Sequence, residues 1–95
     1  MKMLLVIYSG SDPQLVPSRF DRHHAGYTEL CRAHGAGQTG RYEGTRAWPG
    51  DESLYFSVLP ETQAGNVVSE LKQLASELEM PERLHCAVLN TETFF

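Results

Sequence analysis

The chain has 95 residues, 41% of them hydrophobic and 21% charged, a composition typical of one folded domain. Its net charge of −4 and isoelectric point of about 5.5 do not provide the basic surface that a nucleic acid backbone requires. Two cysteines are too few for a disulfide scaffold, and we find neither a bilayer-spanning segment nor a secretory signal, so we expect a cytoplasmic protein.

The first half of the chain predicts two strands separated by a weak helix. Residues 3–9 are apolar on both sides, which is typical of a central strand. Asp12 and Pro13 favour the start of a helix within residues 13–25, which Pro17 should interrupt and Gly26 should end. Residues 27–34 then alternate in the manner of a second strand.

A glycine-rich connection over residues 35–51 follows, without any periodic apolar pattern. We expect it to lack regular structure, and long loops of this kind in small domains usually have a function. Residues 53–59 alternate as a third strand, residues 62–79 have the apolar spacing of an amphipathic helix, and residues 83–91 form a last strand.

The element order β-α-β-β-α-β predicts an α+β fold of the ferredoxin-like type, with a four-stranded antiparallel sheet. Right-handed crossovers place both helices on one face of that sheet. The other face would then remain uncovered, although the first strand is apolar on both sides and Ala87 and Leu89 make the last strand apolar there too. We therefore predict an oligomer that packs sheet against sheet.

Three glycine-bearing blocks of sequence resemble a known family. They are Gly26-Tyr27-Thr28-Glu29-Leu30, Gly35-Ala36-Gly37-Gln38-Thr39-Gly40 and Gly44-Thr45-Arg46-Ala47-Trp48-Pro49-Gly50. The first two resemble the segment that opens strand two and the Gly-x-Gly turn into the large T-loop of P-II signal-transduction proteins. The third is similar to the divergent P-II-like relatives alone. With the element order, the resemblance extends over one domain, residues 1–95, with the T-loop equivalent at about 38–52.

The resemblance implies a regulatory protein, a P-II-like trimer whose clefts between subunits bind a small effector such as an adenine nucleotide. It also implies a T-loop that contacts a target protein such as a transporter or an enzyme. Glycine backbones approach a ligand closely, and successive amides can hold an anion. By motif match, the cleft is formed by Gly35, Ala36, Gly37 and Gln38, with Ile7 and Thr28 beneath them.

Two departures from the family pattern concern its phosphate-binding parts. The family has a second loop bearing glycine and lysine before the last strand, whereas Met80–Arg83 is short and contains no glycine. The basic residues near the family's C-terminus are also missing here. A smaller nucleotide, an inorganic anion or no nucleotide therefore remain alternatives to ATP.

Three further side chains in the glycine-rich connection are candidates for binding. Arg41 and Arg46 can each grip a phosphate or carboxylate with a planar guanidinium, but they can equally be solvated loop residues balanced by nearby acids. Trp48, the single tryptophan, is a candidate partner-binding residue, since tryptophan is enriched at binding hot spots. It can also fix the loop to its own trimer.

Two other classes of function stay open. His23, His24 and His34 are candidate metal ligands, which would make the protein a metal-responsive module in heavy-metal handling. Their spacing predicts no local site, so only residues from different subunits could form one. A dimeric ferredoxin-fold enzyme shares the element order but does not account for the glycine blocks. We find no hydrolase elbow, P-loop or zinc-protease motif, and we expect a protein that is not an enzyme.

Overall fold

The fold is taken from a computed structural model that describes residues 1–33, 35–37, 40–42 and 52–95, with side chains for residues 1–31 and 52–95. These residues form six strands and two helices. In chain order they are β1 (Lys2–Ser9), α1 (Leu15–Arg22), β2 (Thr28–Ala33), β3 (Gly35–Gly37), β4 (Gly40–Tyr42), β5 (Glu52–Leu59), α2 (Glu61–Glu77) and β6 (Arg83–Asn90).

Four of the strands form one antiparallel sheet in the order β2-β5-β1-β6. The central strand β1 pairs on both sides, so that Leu5 lies opposite Phe56 of β5 and Ala87 of β6. This is the split βαβ arrangement. The predicted ferredoxin-like α+β fold is therefore confirmed.

Both helices pack on the same face of this sheet. Alternate residues of β1 (Leu4, Val6 and Tyr8) are fully or almost fully buried there, in one cluster with residues of α1 and α2. The helices contribute Val16, Phe20, Ala64, Val67, Leu71 and Leu74 to it. At its centre the ring of Phe20 lies 5.0 Å from that of Tyr27 and 6.5 Å from that of Tyr55. One core of this size is what a 95-residue chain can bury.

The strand β5 turns its more polar side toward the helices. Tyr55 and Ser57 are buried in this layer, whereas the apolar side chains Leu54, Phe56 and Val58 lie on the opposite face and are only partly covered. The alternating pattern identified the two sides of this strand but not which of them faces the helices. The rings of Phe20 and Tyr27 pack against Tyr55, and this contact places the Tyr55 side of β5 toward the helices.

The first helix lies within the predicted range of residues 13–25, but the residues that begin and end it differ from those expected. It begins at Leu15, and Asp12 caps the turn before it: its Oδ1 accepts the N–H of Gln14 at 2.9 Å. Pro17 does not interrupt the helix, because it occupies the first turn, where a backbone N–H has no partner inside the helix. There its ring is buried.

His24, and not Gly26, supplies the left-handed residue that ends this helix. His24 has a φ of 51°, and its N–H donates to the carbonyl of Asp21 at 3.1 Å. The N–H of Ala25 donates to the carbonyl of Phe20 at 3.0 Å, which completes a Schellman motif. Gly26 lies two residues beyond it.

The expectation of no regular structure after residue 34 is wrong for part of that segment. Gly35 pairs with Tyr42 and Gly37 with Gly40, so that β3 and β4 form a small antiparallel ladder of their own. Backbone hydrogen bonds define such a ladder, and glycine has no side chain that could produce an alternating pattern. The other residues of the connection, 38, 39 and 43–51, lie outside the described part of the chain.

Gly10 is a position where the backbone leaves no room for a side chain. A Cβ there would lie 2.2 Å from Oη and 2.4 Å from Cζ of Tyr8, a ring that is 2% exposed. We expect Gly10→Ala to lower the free energy of unfolding by about 1–3 kcal/mol, because the ring must shift within a packed core. Urea denaturation measures this.

Gly65→Ala is the matched control for that variant. A Cβ at Gly65 meets no atom within 4 Å, and the residue is exposed inside α2. We therefore expect it to stabilise the protein by about 0.5–1 kcal/mol, the usual gain from replacing glycine in a helix. Equal effects of the two variants would contradict the steric argument at Gly10.

Candidate functional site

The face of the sheet opposite the helices, called here the open face, is largely apolar. Its central strand presents Met3, Leu5 and Ile7, which are only partly covered in the single chain. Side chains of the neighbouring strands surround them on both sides: Thr28, Leu30, Leu54, Phe56, Val58, His85, Ala87 and Leu89. As predicted, this face is apolar, and no helix of the described residues covers it. An apolar surface of this extent is typical of an association site.

Several of the predicted ligand-binding residues lie toward one end of the sheet, called here the glycine end. At this end β1 finishes, β5 and β6 begin, and β2 leads through residue 34 into β3. Ile7 lies on the open face next to Leu54, two residues from the start of β5. Gly35, Ala36 and Gly37 form β3, and Arg41 belongs to the paired strand β4.

Thr28 lies away from the glycine end, at the start of the edge strand β2. It borders a crevice of about 310 Å³, called here the β2 crevice. The crevice is lined by Gly26, Tyr27, Thr28, Phe56, Ser57, Val58 and Phe94. Most of this lining is aromatic, aliphatic or backbone, as in sites for small planar ligands.

The two parts of the predicted site do not meet within one chain. Ala33 lies five positions after Thr28, which corresponds to about 16 Å along a strand. Ile7 is also two strands away from Thr28, because β5 lies between them. Thr28 and the β2 crevice are therefore a separate part of the predicted site from β3 and β4.

Sequence reasoning missed Arg83 as a candidate for binding a phosphate, and it considered His85 only as a possible metal ligand. The register places Arg83 opposite Ser9 and His85 opposite Ile7, so both belong to the open-face side of β6 at the glycine end. His85 is exposed and Arg83 is partly exposed. The available signal was the alternation of the last strand, counted back from Leu89 and Ala87 to residues 85 and 83.

The turn between α2 and β6 confirms one departure from the P-II pattern. The N–H of Glu82 donates to the carbonyl of Glu79 at 2.9 Å, and Glu82 Oε1 accepts the hydroxyl of Tyr8 at 3.1 Å. Burial, together with this carboxylate, raises the pKa of Tyr8 to about 12, against the smaller opposing effect of the Asp12 N–H. The turn therefore presents the carboxylate of Glu82 where the family has a loop bearing glycine and lysine. A negatively charged carboxylate does not attract a phosphate.

The remaining predicted residues of the loop lie outside the described part of the chain. They are Gln38, Arg46 and Trp48, together with most of the T-loop equivalent at 38–52. Their predicted roles in binding a ligand or a partner stay predictions.

Among the described residues, the candidate metal ligands His23 and His24 do not belong to a cluster that could hold a metal ion. The ring of His23 hydrogen-bonds Glu70, whose carboxylate also accepts from Arg22 at 2.8 Å, and His24 has its structural role at the end of α1. Burial raises the pKa of Glu70, but the hydrogen bonds from His23 and Arg22 outweigh burial and lower it. Within the described residues, no three His, Cys, Asp or Glu side chains come together. His34 lies outside them.

Neither cysteine forms a disulfide within the chain. Cys31 is exposed on the edge strand β2, where its thiol donates to Glu29 Oε2 at 3.2 Å. Cys86 is partly buried against the core, and burial raises the pKa of its thiol.

Within the described ranges, no helix is long and apolar enough to cross a membrane.

Comparison with known proteins establishes a relationship at the level of the fold. No family model matches the sequence, and no curated protein matches it either. The structure is similar to solved structures of CPII, a nitrogen regulatory PII-like protein from Thiomonas intermedia K12. The form bound to ADP, AMP and bicarbonate matches with a TM-score of 0.70 and 20% identity, over 93% of this chain and 84% of that chain.

Two other forms of the same protein give a similar result. A 2.3 Å structure with the same ligands matches with a TM-score of 0.65 and 21% identity, over 94% of this chain and 93% of that chain. The apo form matches with a TM-score of 0.63 and 16% identity, over 93% and 87%. The chain therefore has the ferredoxin-like fold of PII-like proteins along nearly its whole length.

Proposed function

We propose that this protein is a PII-like regulator that binds an adenine nucleotide in clefts between the subunits of a trimer. It acts in the cytoplasm by binding and not by catalysis, and it controls a target protein, such as a transporter or an enzyme, through residues 38–52. One observation carries the proposal: the predicted site residues form two groups, with Thr28 at the start of β2 and Gly35–Gly37 beyond its end. The likeness to CPII, which was solved with ADP and AMP, supports the choice of ligand.

The open face supports the assembly. Leu5 and Ile7 lie on the central strand of a face that no helix covers, and β5 and β6 add Phe56 and Leu89 beside them. Burying apolar surface contributes about 25 cal/mol per Å², so contact between these faces stabilises the assembled form. A domain of 95 residues also gains from association, because its own core is small.

In this assembly one chain provides the phosphate-binding part of each cleft. The backbone of Gly35 and Gly37 can approach an anion closely, because no side chain intervenes. The guanidinium of Arg83 belongs to the same end of the sheet and replaces the basic groups that the turn after α2 lacks. A neighbouring chain provides Thr28 and the β2 crevice.

Ligand binding then alters residues 38–52, because these residues follow directly on β3. A nucleotide that contacts Gly35–Gly37 favours those arrangements of the connected segment that are compatible with the contact. The shift in population changes the affinity for the target protein by the same factor as the target changes the affinity for the nucleotide.

Calorimetry with ATP, ADP, AMP and a cyclic nucleotide tests the proposal, and Arg83→Ala tests the phosphate contact. A hydrogen bond to a charged group contributes about 1.5–3 kcal/mol, so we expect ADP to bind Arg83→Ala about 10- to 100-fold more weakly. Lys72→Ala is the matched control, since it removes one positive charge from an exposed position of α2. No heat with any nucleotide would refute nucleotide binding, and equal losses in both variants would refute a specific role of Arg83.

A further inference from the structure

The β2 crevice combines apolar walls with an exposed backbone edge. Phe56 and Val58 form its floor on the open face, and Tyr27 and Thr28 border it on β2. Since β2 is an edge strand of the sheet, its outer backbone groups face away from β5. Such a site offers contact for the plane of a flat ring and hydrogen bonds for its edge.

The last wall of the crevice comes from the C-terminal segment. After β6 ends at Asn90, the N–H of Thr91 donates to the carbonyl of Met1 at 3.2 Å, which directs the chain across the end of β1. The segment then reaches the far edge of the sheet, where Phe94 borders the crevice beside β2. The C-terminal segment thus runs from the β6 edge of the sheet to the β2 edge.

Phe94 borders the crevice without filling it. Its side chain remains 62% exposed, and the volume of about 310 Å³ is still open beside it. An aromatic ring in this position is a wall against which a second ring can stack. Burial of its own apolar surface does not account for the position, because most of that surface faces solvent.

We infer that Phe94 binds the base of the ligand: its ring stacks on a purine held in the β2 crevice. The inference rests on the proposed function, which supplies the nucleotide. Stacking between an aromatic side chain and a base does not depend on phosphate contacts, which belong to the glycine end of another subunit. The base and the phosphates of one nucleotide are therefore recognised by two different chains.

Phe94→Ala is expected to weaken ADP binding by about 5- to 100-fold, the range that corresponds to the loss of one base–aromatic stack. Inorganic pyrophosphate, which has no base, should bind this variant as it binds the wild type. Phe94→Trp keeps an aromatic wall and should retain ADP affinity. Phe95→Ala is the matched control, because Phe95 is fully exposed next to it. Calorimetry on the full-length protein measures the affinity of the wild type and each variant for ADP, and of the wild type and Phe94→Ala for pyrophosphate.

The outcomes separate this inference from the proposed function. If the wild type binds ADP and Phe94→Ala binds it equally well, stacking by Phe94 is refuted while the nucleotide site stands. If the wild type binds pyrophosphate as tightly as ADP, the crevice holds no base and the inference is also refuted. If it binds neither, the proposed function fails and the inference fails with it. Circular dichroism of Phe94→Ala should match the wild type, since the side chain lies outside the core.

Discussion

Leu5→Glu is expected to convert the assembled protein into single chains and to abolish ADP binding. Leu5 lies at the centre of the open face, between Phe56 and Ala87 on the neighbouring strands. In a single chain the new carboxylate can reach water, so the fold tolerates it. Between two packed sheets the same charge would be buried without a partner, at a cost of several kcal/mol. In the proposed assembly each cleft needs two chains, so we expect the ligand site to be lost with the assembly.

Light scattering coupled to gel filtration measures the first effect, and calorimetry with ADP measures the second. The wild type should have the mass of three chains and Leu5→Glu the mass of one, with unchanged circular dichroism. Met80→Glu serves as control: Met80 is 68% exposed on the turn after α2, away from the open face, and its variant should remain a trimer. A wild type that is a stable monomer at micromolar concentration would refute the assembly, and a dimer would favour the enzyme alternative.

Phe20→Ala is expected to lower the free energy of unfolding by about 3–5 kcal/mol. Phe20 is fully buried and contacts the rings of Tyr27 and Tyr55, so that its removal leaves a cavity between α1 and the sheet. The total stability of a domain is about 5–15 kcal/mol, of which this loss is a large fraction. We therefore expect partial unfolding of the variant at physiological temperature.

Chemical denaturation followed by circular dichroism measures that loss. Phe95→Ala removes the same side chain from a fully exposed position and should leave the unfolding midpoint unchanged. A loss below about 1 kcal/mol for Phe20→Ala would contradict the packing of the aromatic cluster. Removing a buried ring of this size from a close-packed core lowers the free energy of unfolding by more than that amount.

The sequence was sufficient for the elements whose side chains define a period. The strand at 3–9, the strand at 53–59 and the helix at 62–79 were all predicted within two residues of their observed ends. Each has an apolar repeat of two or of 3.6 residues, and a buried face requires that repeat. The uncovered apolar face also followed, since β1 is apolar on both of its sides.

The errors fall where the backbone alone determines the structure. The β3–β4 ladder contains three glycines and therefore no side-chain pattern. Pro17 was expected to interrupt α1, but a proline in the first turn removes an N–H that no helix would use. His24 takes a left-handed conformation that is usual for glycine, and no rule of composition selects it over the nearby Gly26.

The candidate site was predicted only in part for a related reason. The motif match identified Ile7, Thr28 and Gly35–Gly37, but a motif does not state which of them lie at the same end of a sheet. Arg83 was missed because its importance depends on the pairing of β6 with β1, which is a tertiary property. Phe94 was missed because its position depends on the path of the last five residues across the sheet.

In the proposed trimer, the separation of Thr28 from β3 makes occupancy of the site depend on protein concentration. A pocket that two chains complete would be absent from a dilute solution of single chains, so we expect added nucleotide to shift the association equilibrium toward the trimer by mass action. The protein concentration would then set the nucleotide concentration at which the protein responds, and a cell that changes the expression level would change the response to the same nucleotide pool.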